Sequence, residues 1–329
     1  MDSKISLIIV RTGSTSGKEI SQLCESITWA GSRNSPTRTL EFTLIDDDGY
    51  KHDRAEINIE KGWHALFTYD GDELFRGIIL RQTHQHSKKA SYKAYDVGIY
   101  LSNNKDTWVY ESKTATYIFK DVCSRLGLTV GSAASTTYTI EDLTKKKTTA
   151  WDAIEDALSL DYENTGTQHY VYAKKGKLYL VKRSENLKQW VLETDVNIAA
   201  YKYEKSFEDI KTRIKLLSSE NTTLASATNL SLEKKIGIFQ DVDTPDESLT
   251  TAQIKSLAKT MLAEESAVEE TLTLSRVLGQ TDVISGVAVY VEIDALDIAK
   301  TFYVDSDTHT FKGNSHLMSL TLSLSLESD

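Results

Sequence analysis

The chain has 329 residues and a formal net charge of −10, because 48 Asp and Glu outnumber 38 Lys and Arg. This acidic balance argues against a nucleic-acid-binding surface spread over the whole chain, so we expect no sequence-specific nucleic-acid binding. Hydrophobic residues make up 40% of the chain, which favours two or three folded domains over wholesale disorder. No apolar run is long enough to span a bilayer, so we expect no membrane binding of its own.

The start of the chain and its cysteines indicate synthesis in a reducing cytoplasm. Residues 1–10 contain a short apolar stretch without a charged leader or a small-residue cleavage site, which predicts a strand and not a signal peptide. Cys24 and Cys123 are the only cysteines, and two distant cysteines do not make a disulfide framework. Cys123 lies on a predicted helix beside Val122, where we expect a small buried side chain.

The first segment, residues 1–104, has the pattern of a β domain. Leu40, Phe42 and Leu44 alternate with polar residues, which predicts a strand with one buried face. The pair Asp70-Gly71 follows another apolar segment and is a strong hairpin signal. The remaining predicted strands of this segment cover residues 55–60, 63–69, 73–86 and 91–96.

The middle segment, residues 105–194, changes to an α+β pattern. Ile118, Val122 and Leu126 recur at helical spacing and Gly127 supplies a stop, which predicts one helix. A second helix is predicted from about residue 150 to residue 158. Thr149 and Asp152 have the spacing of a capping box at its start. Residues 168–174 and 177–183 then predict two strands joined around Gly176.

The last segment, residues 195–329, returns to β. The alternation is clearest over residues 317–326, and this strand is expected to pair with residues 302–311 through a turn at Gly313-Asn314. Further strands are predicted around Ile214 and over residues 287–293, with one helix over residues 253–266. The order β-rich, α+β, β-rich predicts a mainly β protein in which each outer segment forms a small barrel or sandwich.

Several residues could bind a metal, but each group lacks part of a known site. His84 and His86 share one face of a predicted strand without the further ligands that a zinc site needs. Two acidic loops lack the glycine-centred pattern of a calcium loop, so we interpret them as solvated loops. The first loop holds Asp46, Asp47 and Asp48, and the second holds Asp241, Asp243, Asp246 and Glu247. We therefore expect no metal ion and no cofactor.

The candidate catalytic groups are equally incomplete. Asp305, Ser306, Asp307 and His309 superficially resemble a triad, but they lie on one predicted strand, and a triad usually draws its members from different elements. No Gly-x-Ser-x-Gly elbow and no phosphate-binding glycine loop are present. Lys145, Lys146 and Lys147 form a basic run that we interpret as solvated, with a phosphate site as the weaker alternative. The sequence thus predicts no enzymatic activity.

Patterns along most of the chain resemble a family of tail proteins. Residues 40–44 (LEFTL) with their acidic turn and residues 74–79 (LFRGII) are similar to the first barrel of phage tail hub proteins. The hairpin over residues 302–322 is similar to the C-terminal hairpin of XkdQ/YqbQ-type proteins from PBSX-like defective phages and related bacteriocin particles. Weaker similarity covers residues 119–127, 207–217 and 236–240.

This resemblance implies an architecture and a role. It implies two tail-tube-like β-barrels, at residues 1–104 and 195–329, flanking a small α+β domain at residues 105–194. It implies a homotrimeric baseplate hub that is assembled in the bacterial cytoplasm and matches the sixfold tail tube to the threefold central spike. The implied partners are the tail tube protein, the spike, the baseplate wedge and LysM-bearing tail proteins. A tail-associated cell-wall-binding or hydrolytic β protein is the alternative.

Overall fold

The protein is mainly β with five α-helices in a computed structural model that describes residues 4–45, 59–86, 89–183, 187–245 and 249–324. The period-two prediction of a mainly β chain is therefore confirmed. Within these ranges no helix has the length and apolar character needed to cross a membrane. The predicted acidic loop at residues 46–48 and most of the predicted strand at residues 55–60 lie outside the described residues.

Seven strands form within the described part of the first hundred residues. Five of them match predicted strands, whereas β2 and β3 were not indicated by the sequence pattern. Leu40, Phe42 and Leu44 are buried, as their alternation indicates. At the predicted hairpin, Asp70 and Gly71 have φ angles of 51° and 86°, which is the left-handed pair that a type I′ turn requires. The strands are β1 (Ile5–Val10), β2 (Gly17–Glu19), β3 (Cys24–Ser32), β4 (Thr39–Ile45), β5 (His64–Tyr69), β6 (Asp72–Gln85) and β7 (Lys89–Tyr95).

The middle segment has its own apolar core, built on two helices. The predicted capping box is present, because Thr149 Oγ1 accepts from Asp152 N at 3.0 Å and Asp152 accepts from Thr149 N at 2.9 Å. The second helix is longer than predicted and ends at Gly166, which has a φ of 69°. The elements are α1 (Ile99–Asn103), β8 (Lys105–Lys113), α2 (Ala115–Arg125), β9 (Val130–Ala133), β10 (Ile140–Thr149), α3 (Ala150–Thr165), β11 (His169–Lys174) and β12 (Lys177–Lys182).

The last segment contains the predicted terminal hairpin and the predicted helix, and also a short helix that the sequence pattern did not indicate. The hairpin consists of β20 and β21, with Met318, Leu320 and Leu322 on its buried face. The elements are β13 (Leu187–Glu193), β14 (Ala200–Ser206), β15 (Arg213–Leu217), β16 (Thr223–Thr228), α4 (Leu230–Ile236), β17 (Gln240–Asp243), α5 (Thr251–Glu265), β18 (Glu269–Leu278), β19 (Ala288–Ile293), β20 (Ile298–Lys312) and β21 (Ser315–Ser323).

One large sheet joins strands from both ends of the chain. Its order is β14-β18-β21-β20-β3-β4-β7-β6-β5-β1-β2, and β19 connects β20 to β13. An N-terminal group, β1 to β7, therefore meets a C-terminal group, β13, β14 and β18 to β21. The two groups join where β20 pairs antiparallel with β3, with His309 opposite Trp29.

The compact units of the structure do not follow the predicted domains 1–104, 105–194 and 195–329. The first unit holds residues up to Tyr201 together with Thr273–Ser323, and it contains most of the large sheet and the α+β core. The reason is the β3–β20 pairing, which a local alternation pattern does not reveal. The second unit holds Lys202–Leu272 and, among the described residues at the end of the chain, Leu324. It has a three-stranded sheet of order β16-β15-β17 against which α5 packs.

Candidate functional site

The triad-like residues form part of a buried polar cluster within the first unit. Asp307 and His309 share one face of β20, with His309 Nε2 at 3.3 Å from Asp307 Oδ2. Asp305 instead pairs with Arg33, at 2.9 Å. The His309 nitrogens face Val283 O at 3.0 Å and His316 Nε2 at 2.9 Å. Asp307 and His309 are almost fully buried, so they are placed to hold strands together.

Arg38, just before β4, supplies the positive charge of this cluster. Its guanidinium binds both oxygens of Asp307, with Nη1 at 2.9 Å from Oδ1, and its centre lies 4.1 Å from the centroid of the Trp29 ring. Burial opposes ionisation of Asp307, but the charge of Arg38 and the hydrogen bonds from His309 and Arg38 hold the pKa of Asp307 well below its usual range. A Cβ on Gly31 would lie 2.3 Å from the same guanidinium, so glycine makes room for it.

Two further contacts extend the cluster across the strand groups. Ser285 N donates to Asp307 Oδ1 at 2.6 Å. Asp96, after β7, accepts from Arg38 N at 3.0 Å and from Gly98 N at 2.9 Å. Burial raises the pKa of Asp96 to about 7, against these hydrogen bonds and the Arg38 charge. Because Arg38 belongs to the N-terminal group and Asp307 to the C-terminal group, we call Arg38, Asp96, Ser285, Asp307, His309 and His316 the junction cluster.

The sequence indicated only part of the junction cluster. Asp307 and His309 were singled out by their spacing, whereas Arg38, Asp96 and His316 carry no local pattern. Arg38 and Asp307 are 269 residues apart. Only knowledge that β3 pairs with β20 would bring them together.

The predicted metal candidates do not gather into a site. His84 and His86 are exposed, and His84 Nε2 is 2.8 Å from Gln82 Nε2. Asp241 and Asp243 lie on β17 and accept from neighbouring backbone N–H groups, whereas Asp246 and Glu247 lie outside the described residues. In the part of the chain that the structure describes, no group of three or more His, Cys, Asp or Glu side chains is placed to hold a metal ion.

The basic run lies near the end of a strand, shortly before α3. Lys145, Lys146 and Lys147 belong to β10, whose pairing with β8 is interrupted by a bulge between Lys145 and Thr148. Lys145 forms an ion pair with Asp156 of α3. Lys147 has a φ of 57°, which fits the irregular backbone of a bulge. The three lysines are therefore part of a strand and its bulge, and one of them is paired with a carboxylate.

A pocket of about 180 Å³ lies beside α3 in the first unit. Its lining combines aromatic and cationic side chains, including Trp151, Tyr162, Tyr170 and Arg183. The Arg183 guanidinium lies 3.8 Å from the centroid of the Tyr303 ring. The pocket draws residues from the turn after β3, from α3 and from β11, and for that reason no single sequence motif indicated it.

Seven of the 17 exposed large apolar side chains among the described residues lie on the smaller second unit, and no sequence pattern indicated them. They have between 37% and 64% of their surface exposed. Clusters of exposed apolar side chains mark contact surfaces more often than isolated ones do. They are Phe207, Leu224, Leu230, Ile238, Phe239, Val242 and Val268.

Comparison with known proteins gives this architecture a family. Residues 27–323 match the YQBQ-like family model. The chain is 35% identical over 301 residues to the phage-like element PBSX protein XkdQ of Bacillus subtilis, which covers 91% of each chain. This agrees with the resemblance predicted from residues 302–322 and the other matching segments.

Two solved structures have a similar fold. The 43 kDa tail protein of prophage MuSo2 from Shewanella oneidensis has a TM-score of 0.72 at 11% identity, covering 96% of this chain and 97% of that one. An Escherichia coli type VI secretion component, itself similar to bacteriophage tail proteins, has a TM-score of 0.53 at 9% identity, covering 92% and 74%. These identities show a shared fold alone. The family match shows that the chain belongs to the YQBQ-like family, and its fold is shared with phage tail proteins.

Proposed function

We propose that the protein is the central hub of a contractile tail baseplate, where it joins the tail tube to the central spike. The observation that carries the proposal is the pair of strand groups within one chain, β1 to β7 and β13, β14, β18 to β21, joined by β3 and β20. Each group is the counterpart of one tube-like barrel. A chain with two such groups can present two similar surfaces to a neighbouring ring.

A chain with two strand groups would resolve a mismatch of symmetry. The subunits of a sixfold tube and a threefold spike cannot be matched one to one. Three copies of a chain with two tube-like groups present six such groups to the tube and three chains to the spike. A ring of three copies needs heterologous contacts that close, because each subunit then meets its neighbour through two different surfaces. We therefore propose a homotrimer.

Strand edges are poor candidates for these contacts. Strand β2 has only three residues and is exposed throughout, and short edges resist pairing with another chain. At the edge of β13, the Asn197 side chain donates to Val191 O and accepts from Glu193 N, both at 2.9 Å. These groups are therefore occupied within the chain. The exposed apolar side chains of the second unit are better candidates for contacts with other tail proteins.

The proposed partners are the tail tube protein, the central spike, the baseplate wedge and LysM-bearing tail proteins. The match to a protein of a phage-like element and the fold of a prophage tail protein support a place in a tail particle. We propose that the chain assembles in the bacterial cytoplasm and leaves with the particle, and that it acts as a scaffold without catalysis.

Single-particle cryo-EM of intact baseplates tests the stoichiometry. We expect three copies of the chain at the tip of the tube, each contributing both strand groups to one ring. A ring with six copies, one for each position of the tube, would contradict the proposal. Zymography of the purified protein on cell walls tests the hydrolytic alternative, for which clearing by native but not by heat-denatured protein would be the positive result.

A further inference from the structure

A buried histidine pair lies within the first unit, where β20 joins the two strand groups. His309 on β20 and His316 on β21 have ring nitrogens, Nδ1 and Nε2, 2.9 Å apart. His309 is completely buried and His316 is 9% exposed. His309 also lies opposite Trp29 of β3, with ring centroids 5.1 Å apart. The pair is therefore next to the strand pairing that unites the sheet.

The hydrogen-bond partners of the two rings determine which ring nitrogens carry a hydrogen. His309 Nε2 faces two acceptors, Val283 O at 3.0 Å and Asp307 Oδ2 at 3.3 Å, so this nitrogen carries a hydrogen. In the neutral pair His309 Nδ1 is then an acceptor, and His316 Nε2 must donate to it. One added proton can be accommodated on His309 Nδ1 if His316 changes tautomer and accepts. A second added proton cannot, because two N–H groups and two cations would then face each other.

Few charges are near enough to compensate for that second proton. Among the described residues, the titratable groups facing the pair are Asp307 from β20, Arg38 from before β4 and Tyr69 from β5, whose ring centroid lies 5.2 Å from that of His316. Arg38 already neutralises Asp307. The other side of His316 is apolar, since the Phe311 ring stacks on it at 4.2 Å.

The space around His316 is also closed. A Cβ on Gly279 would lie 2.2 Å from the His316 ring, so the ring is in direct contact with this backbone. Gly279 N donates to His316 O at 3.0 Å. A protonated His316 ring can therefore reach water only if the hairpin moves away from its neighbours.

We propose that the His309–His316 pair is an acid-sensitive latch, in which double protonation releases the β20–β21 hairpin from β3 and so loosens the join between the two strand groups. The inference is independent of the tail-hub proposal. In agreement with the geometry, burial and then the charge of His309 lower the pKa of His316 to about 4. Since the unfolded chain binds this proton at a higher pH than the folded chain does, the contribution of His316 to stability falls as the pH drops from about 6.5 towards 4. The raised pKa of Asp96 acts in the opposite direction, so the effect of His316 is measured as a difference between variants.

Urea unfolding of the full chain at pH 7.5 and pH 4.5 tests the latch. For His316 alone, linkage predicts that the folding equilibrium constant falls roughly 70-fold between these pH values. His316→Gln keeps a donor for His309 Nδ1 but does not titrate, so its loss should be smaller than that of the wild type by this factor. His64→Gln removes an exposed histidine of β5 and should lose as much as the wild type. If His316→Gln and wild type lose the same factor, the proposal is wrong.

Hydrogen exchange of the wild-type chain provides a test that does not require a variant to fold. After correction for intrinsic exchange rates, we expect peptides covering residues 27–31 and 306–316 to lose protection at pH 5 relative to pH 7.5. Peptides covering α2 and α3 should keep theirs. Equal loss in both regions, or protection of the hairpin unchanged at pH 5, would overturn the latch.

Discussion

The α+β core and the junction cluster are both buried in the first unit, but different forces hold them. In the α+β core, Ile118, Phe119 and Val122 are completely buried among other apolar side chains. At the junction, Arg38 and Asp307 are equally inaccessible but charged. When a buried apolar side chain is shortened, the loss of stability grows with the volume removed, so a small change costs little. A buried ion pair depends on both partners, because either one alone is an uncompensated charge.

The α+β core is stabilised by apolar packing that does not require particular residues, whereas the junction is stabilised by specific hydrogen bonds and an ion pair. The α+β core can form from many apolar sequences with the same helical spacing. The β3–β20 join, in contrast, brings together a guanidinium, a carboxylate and two imidazoles at hydrogen-bond distances. We infer that the junction cluster selects which strands of the large sheet become neighbours.

The largest expected effect comes from Asp307→Asn, which keeps the shape of the side chain and removes its charge. Arg38 would then be buried without a counter-ion, so we expect a loss of about 3 kcal/mol in the free energy of unfolding. Urea unfolding followed by tryptophan fluorescence measures it. The matched control is Glu73→Gln, which breaks an exposed ion pair with Arg76 and should cost less than about 1 kcal/mol.

A double variant sharpens this result. Replacing both charges, as in Arg38→Met with Asp307→Leu, removes the uncompensated charge and should recover part of the stability lost in Asp307→Asn. Equal losses of stability in Asp307→Asn and Glu73→Gln would show that the buried ion pair matters no more than the exposed one. The contrast between the two regions would then be wrong.

The next effect concerns the α+β core. Ile118→Ala should cost about 3 kcal/mol and Ile118→Val about 1 kcal/mol, because the loss follows the volume removed from a packed core. The same unfolding experiment measures both. If Ile118→Val loses less stability than Ile118→Ala, while the shape-conserving change at Asp307 causes a large loss, the two regions are held by different forces. Equal losses for Val and Ala would contradict it.

The sequence was sufficient for elements whose signal is local. The alternation over residues 317–326 located β21, and the helical spacing of Ile118 and Val122 located α2. The end of α3 was missed because Asp161 is polar but buried, where it accepts from Tyr138 N at 3.0 Å. A polar residue on the inner face interrupts the apolar stripe from which helix length is judged.

What the sequence could not supply is pairing over long distances. The division into three consecutive segments treats β20 as part of a separate barrel, whereas its partner β3 lies more than 250 residues earlier in the chain. Period-two alternation gives the buried face of a strand but not its neighbour. The junction cluster was invisible for the same reason, since its contacts exist only after that pairing has formed.

The smallest expected effects compare two helix caps. Thr149 caps α3, and Thr250 caps α5 with Gln253 in the same type of box, a Thr-x-x-Gln spacing that the sequence contains. Thr149→Ala should cost about 1 kcal/mol, because it leaves a backbone N–H without its acceptor. We expect Thr250→Ala to act mainly on local opening of α5, of which only Ile254 and Ala258 are buried. Urea unfolding measures the first effect and hydrogen exchange of α5 the second.

Thr149→Ser and Thr250→Ser keep the hydroxyl and should resemble the wild type. If a serine variant loses as much as its alanine counterpart, the hydroxyl is not the cause.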